Sequence, residues 1–258
     1  MHPLGVEIVT VSLEVSGPEA SRAFIEAAAP QHPSLLDPTH QMDVLFGVVN
    51  IPNVVWIDEA GVIVRPAEPG WPGPMQMPEA FMKRLADRMK AQAESASPTE
   101  SASSTESASS TDSAPRPNLM KLLQSGQDRA TYPDAIRDWA HNGSASAFAM
   151  TADEVIAASE PRGEAESAGA AHFELANHLW QLGDREGAFV HFNECHRLQP
   201  ANWTYKRQAW SLVGNERADG EYGRFNQIPA PGEDWPFDSN FDADIARLEP
   251  GVYYPKTM

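Results

Sequence analysis

The sequence predicts an α/β unit followed by an all-α unit, with a disordered tract between them. Three observations carry this. Short β-branched runs punctuated by Gly and Pro fill the first 70 residues. A Ser/Ala/Glu/Thr tract without any bulky apolar side chain spans 94–117. Beyond it, apolar residues recur at helical spacing. The expected organisation is an α/β domain over 1–93, a linker over 94–117, a helical domain over 118–220, and an aromatic-rich tail over 221–258 packing on the helices.

Val6, Ile8, Val9, Val11 and Leu13 form a run that is apolar on both faces near its start, as in a central strand. Gly17-Pro18-Glu19 opens a helix with Pro early and acid in the first turn. Phe24 and Ile25 are placed to face the sheet. Pro33 to Pro38 reads as a short extended piece ended by a turn, and Met42 to Phe46 as a short helix closed by Gly47. Residues 54–58 and 62–64 flank Asp58-Glu59-Ala60-Gly61 and predict a hairpin. An amphipathic helix is expected from Pro78 to Gln92.

The tract at 94–117 repeats TESASS at 99–104 and 105–110. With nothing to bury, it cannot offset its ordering entropy and reads as a flexible spacer. After it, short helices are expected at 119–123 and 133–140, and Thr151-Ala152-Asp153-Glu154 is a capping box. Longer helices follow at 164–182, 184–198 and 203–213, the last ended by Gly214. Trp235, Phe237, Phe241, Tyr253 and Tyr254 are too many aromatic rings to leave in water.

A net charge of -17 repels phosphate backbones and anionic membranes, so neither nucleic acid nor membrane is an expected partner. No apolar run approaches the roughly 18–20 residues that span a bilayer. The amino terminus lacks a basic stretch followed by an apolar one, so a cytoplasmic location is expected. Cys195 is the single cysteine, which excludes an internal disulfide and a Cys-x-x-Cys motif.

The run Phe46-Gly47-Val48 through Pro52 to Ile57-Asp58 and Gly61, preceded by GVEIVTVSLE and PSLLDP, resembles the thioredoxin-like disulfide reductases, in particular their ResA/TlpA-like members. The resemblance covers about the first third of the chain. It implies that Pro52 is a cis-proline and that Ile51 presents its backbone to a substrate strand. It also implies protein thiols or disulfides as partners, without a cofactor. The pattern departs from the family in one respect: the strand and helix that carry the redox motif are absent from this sequence, so no catalytic residue is assigned. In the family that strand lies between the two remaining sub-sheets, and its loss leaves edges and apolar faces open. Three explanations stand: a reading frame that starts upstream of Met1, as with a selenocysteine codon read as stop; a degenerate domain whose remaining strands pair directly; or a partner chain that supplies the strand.

Residues 169–202 resemble one tetratricopeptide repeat, a helix–turn–helix unit of about 34 residues. Leu175-Ala176, Leu179, Gly183, Ala188, Phe192 and Pro200 fall at its spacing. Cys195 takes a small-residue position, His172 stands where the repeat often has Trp, and Trp210 stands where the next unit expects a small side chain. One repeat cannot bury its own face, so neighbouring helices or the tail must cover it.

Among candidate sites, His172, His178, His191 and His196 are separated by six and five residues within their helices, which places no pair on one helix face. They read as surface or satisfied histidines, with no metal site expected. Cys195 reads as buried and inert. Asp37 and Asp58 read as turn and strand-end residues, not as an acid/base pair. Two functions are therefore expected: a thiol–disulfide or peroxide oxidoreductase lacking its nucleophile in this chain, or a non-catalytic module that binds a peptide or protein through the helical half.

Overall fold

The computed structural model describes residues 2–70, 132–159, 162–214, 229, 232–248 and 253. The expected spacer at 94–117, the helices at 78–92 and 119–123, and Tyr254 lie outside the described residues. What is described is small sheets followed by a helical region.

A 3-10 turn at His2–Leu4 precedes β1 (Thr10–Leu13), α1 (Pro18–Ala28), β2 (Ser34–Asp37) and α2 (Gln41–Phe46). β1 and β2 pair in parallel, Thr10 opposite Ser34 and Leu13 opposite Asp37. The strand is shorter than the 6–13 run predicted. The Thr10 amide bonds the Pro33 carbonyl, but Pro33 has no N–H to return, so the ladder cannot extend toward Val6. Ile8 and Val9 are left about half exposed. α1 also differs from expectation. Ser21 and Ile25, four apart, form its covered side, with Ser21 Oγ 2.9 Å from Ser12 Oγ, while Phe24 turns to solvent.

β3 (Val54–Ile57) and β4 (Ile63–Glu68) form an antiparallel hairpin. Asp58 builds its turn by accepting the Ala60 and Val62 amides at 3.0 and 2.8 Å, and Gly61 takes the left-handed backbone the turn needs, at φ 80°. Pro66 falls in the irregular stretch between the Trp56/Arg65 and Val54/Glu68 pairs, where no ladder donor is required. The far edge of β4 is closed: Val64 O accepts from Met150 N, and the Arg65 guanidinium donates to Phe148 O and grips Glu68 through two bonds of 2.6 and 2.8 Å.

α3 (Tyr132–Asn142) is followed by a 3-10 turn (Gly143–Ala145) and α4 (Ala152–Ser159). The capping box at α4 is formed, with Glu154 Oε2 accepting the Thr151 amide at 2.8 Å. α3 covers the β3–β4 sheet. Trp56 stacks on Trp139 at 5.1 Å and donates Nε1–H to the Tyr132 hydroxyl at 2.8 Å.

The larger core is helical. α5 (Glu164–Leu182) and α6 (Arg185–Leu198) lie along each other, with Ala176 and Ala188 fully buried and Phe173 edge-on to Phe192 at 5.9 Å. Gly183 ends α5 at φ 88°, and Asp184 caps α6 by accepting the Gly187 amide. α7 (Trp203–Gly214) adds Trp203, Tyr205 and Trp210 to this core. Phe237, the short helix α8 (Phe241–Arg247) and Tyr253 join the same core. Lys206 of α7 and Asp244 of α8 pair at 2.7 Å, both nearly out of solvent.

Candidate functional site

The two sheets share no strand. The Thr10 and Glu14 amides bond the β2 side, so alternation turns the Val11 and Leu13 backbone to the opposite edge of β1. Likewise Asp58 N bonds Val62 O, which turns Val55 and Ile57 to the outer edge of β3. Among the described residues no strand takes up either edge, and β1 and β3 do not pair directly. This corrects the idea of a degenerate domain rescued by direct pairing. The cost shows in the apolar side chains left about half exposed on the two sheets, Leu35 and Ile57 among them.

The Ile51–Pro52 peptide bond is cis, and both residues are exposed. Their loop is held from behind by Asn50, which is 1% exposed and uses both ends of its amide. Nδ2 donates to Tyr253 O at 2.7 Å; Oδ1 accepts the Ile51 amide at 2.9 Å and Arg207 Nη1 at 3.0 Å. One residue earlier, Val49 O accepts Trp203 N at 2.7 Å. The loop at Pro52 is thus anchored on α7 and the tail. Sequence reading picked Ile51 and Pro52 but not Asn50, Arg207 or Tyr253, which lie far apart along the chain.

A second polar cluster joins α2 to α7. His40 and Asp43 are completely buried and bonded, Nδ1 to Oδ2, at 2.9 Å. The Thr204 hydroxyl lies 2.5 Å from both Asp43 Oδ2 and Asn202 Oδ1, and its one proton serves one of them at a time. Arg162 donates to the Asp43 carbonyl. Burial raises the Asp43 pKa, against the pull of His40 and Thr204. Among the described residues, His40 Nε2 and Asp43 Oδ1 have no hydrogen-bond partner.

Cys195 is fully buried beside this cluster. Burial first, then the Asp43 charge, pushes its thiol well above the usual range, so it is no nucleophile. Asp37 ends β2 and accepts the Met42 amide at 2.8 Å, and Asp58 sits in the β3–β4 turn. His178 is exposed, and the half-buried His196 packs against Trp210 and Phe237. His172 and His191, however, meet across the α5–α6 hairpin, Nδ1 to Nδ1, at 2.8 Å. Spacing within either helix could not reveal this pair; only the antiparallel packing of the two helices does. Among the described residues, no group of three or more His, Cys, Asp or Glu is placed to hold a metal ion. No helix among them is long and apolar enough to cross a membrane.

No protein-family model matches the chain, and comparison with curated proteins and with solved structures gives no match. The functional reading therefore rests on the residues themselves.

Proposed function

We propose that the α/β half is a thioredoxin-like platform for thiol–disulfide or peroxide exchange, whose redox nucleophile sits on a strand–helix unit outside these 258 residues. The observation that supports this most is the pair of two-stranded sheets with open edges on β1 and β3. One added strand would satisfy both edges and cover apolar side chains now in water. A helix following it would bring a cysteine or selenocysteine near the exposed Ile51–Pro52 loop, where a disulfide-bearing strand would dock. In that chemistry the thiolate attacks a substrate sulfur, the substrate disulfide gains two electrons, and the resolving thiol closes a new disulfide on the enzyme. Cys195 takes no part.

The test is dithiol-coupled disulfide reduction by the chain as given and by the chain extended upstream with a β-strand and a Cys-x-x-Cys helix. Turnover by the extended protein only is expected. Turnover by the unextended chain that survives Cys195→Ser would overturn the reading, as would a folded extended protein without activity.

A second reading has its own support. Leu175 and Leu182, seven residues apart on α5, and Val190 on α6 are exposed, at 40%, 69% and 65%. They fit a non-catalytic module that binds a peptide or protein through its helices. Leu182→Asp in the full chain, with partner capture as readout, distinguishes the two: loss of capture without any effect on turnover favours binding.

A further inference from the structure

We propose that His172 and His191 form a binding site for a divalent transition-metal ion of the copper class. His172 projects from α5 and His191 from α6, both half-buried, with ring centroids 5.0 Å apart and ring planes 35° from parallel. Their Nδ1 atoms are 2.8 Å apart. Two imidazole nitrogens at this distance, each about 2.0–2.1 Å from one ion, subtend an angle of about 85° at it. That angle matches the cis edge of a square-planar or tetragonal site. Tetragonal nitrogen–oxygen geometry favours Cu(II) or Ni(II), and Cu(II) binds most tightly in the divalent series.

The arrangement is also prepared electrostatically. In the neutral pair one ring carries its proton on Nδ1 and donates it to the other. Moving that proton to Nε2 of the same ring frees both Nδ1 lone pairs without net proton release. Glu194 lies one turn beyond His191 and interacts electrostatically with His172, so an acidic group stands beside the pair. Its carboxylate is held by Arg197, Nε to Oε2 at 2.7 Å, and therefore supplies field rather than a ligand here. Water completes the coordination. The overall charge of -17 further favours a cation.

The test is Cu(II) titration of the full chain, read by electron paramagnetic resonance and by competition against glycine. The titration is run in a His2→Ala background, so that this further imidazole does not compete. One equivalent with two-nitrogen hyperfine structure is expected. His172→Gln or His191→Gln should weaken it at least tenfold, while His178→Ala, exposed on the same helix, should leave it unchanged. The glutamine variants keep a planar polar group in the seam, and circular dichroism confirms that they fold. The proposal is overturned if the His172→Gln/His191→Gln double variant binds Cu(II) as tightly as its parent, or if the parent binds no equivalent.

Discussion

Replacing His196 by Phe should flatten the acid limb of the stability profile. The His196 ring lies 6.1 Å from Trp210 and 5.7 Å from Phe237, and its Nε2 is buried without a hydrogen-bond partner among the described residues. Part of the residue reaches the surface, but the titrating edge does not. Burial above all, aided by the Lys206 charge, moves its pKa from 6.5 down to about 3; Asp244 and a hydrogen bond to the Tyr205 backbone pull the other way. The unfolded chain binds a proton at this group below pH 6.5 while the folded protein still refuses it. Stability rises with pH wherever the unfolded state binds more protons, so this contribution is whole above 6.5 and is lost as pH falls toward 3. The limiting slope is about 1.4 kcal/mol per pH unit. Between pH 6.5 and 4.5 one such histidine costs about 2 kcal/mol, after allowing for half-titration at the start. Urea unfolding followed by tryptophan fluorescence at pH 7.5, 6.5, 5.5 and 4.5 measures it. Phe keeps an aromatic ring in place but loses the bond to Tyr205, a cost independent of pH, so the readout is the difference in slope. Parallel profiles for wild type and His196→Phe would refute the reasoning.

Lys206→Ala should destabilise by about 2–3 kcal/mol in urea, because Asp244 loses its buried charge partner while keeping the Ser239 hydroxyl and the more distant, exposed Arg247, and Asp244→Ala in the same chain should recover part of that loss. Asp184→Ala removes the cap that accepts the Gly187 amide and should cost about 1 kcal/mol in thermal unfolding. Cys195, with its thiol held protonated by burial, should resist iodoacetamide in the native protein and react promptly in urea; equal rates in both would place it at the surface.

The helices that bury a continuous stripe were readable from the sequence almost to their ends. Gly183 marked the end of α5 and Asp184 the start of α6, because each carries a local backbone or capping demand. β1 was overestimated, since the hydrophobic run at 6–13 says what can pair and not where a partner such as Pro33 stops donating. Phe24 was misplaced because two neighbouring apolar positions on α1 differ by about 100° and only one can face the sheet. The polar seam was invisible. Asn50, Arg207 and Tyr253, like Asp43 and Thr204, become neighbours only when α7 meets the loop after α2. The His172–His191 pair was hidden for the same reason: its periodicity lies across two helices, not along one.

The most direct test of the oxidoreductase reading is the nucleotide sequence immediately upstream of Met1. The account predicts in-frame codons for an apolar strand followed by a helix carrying Cys or a UGA codon at the redox position. An upstream sequence with no such segment in frame would contradict it and leave the helical half as the functional part.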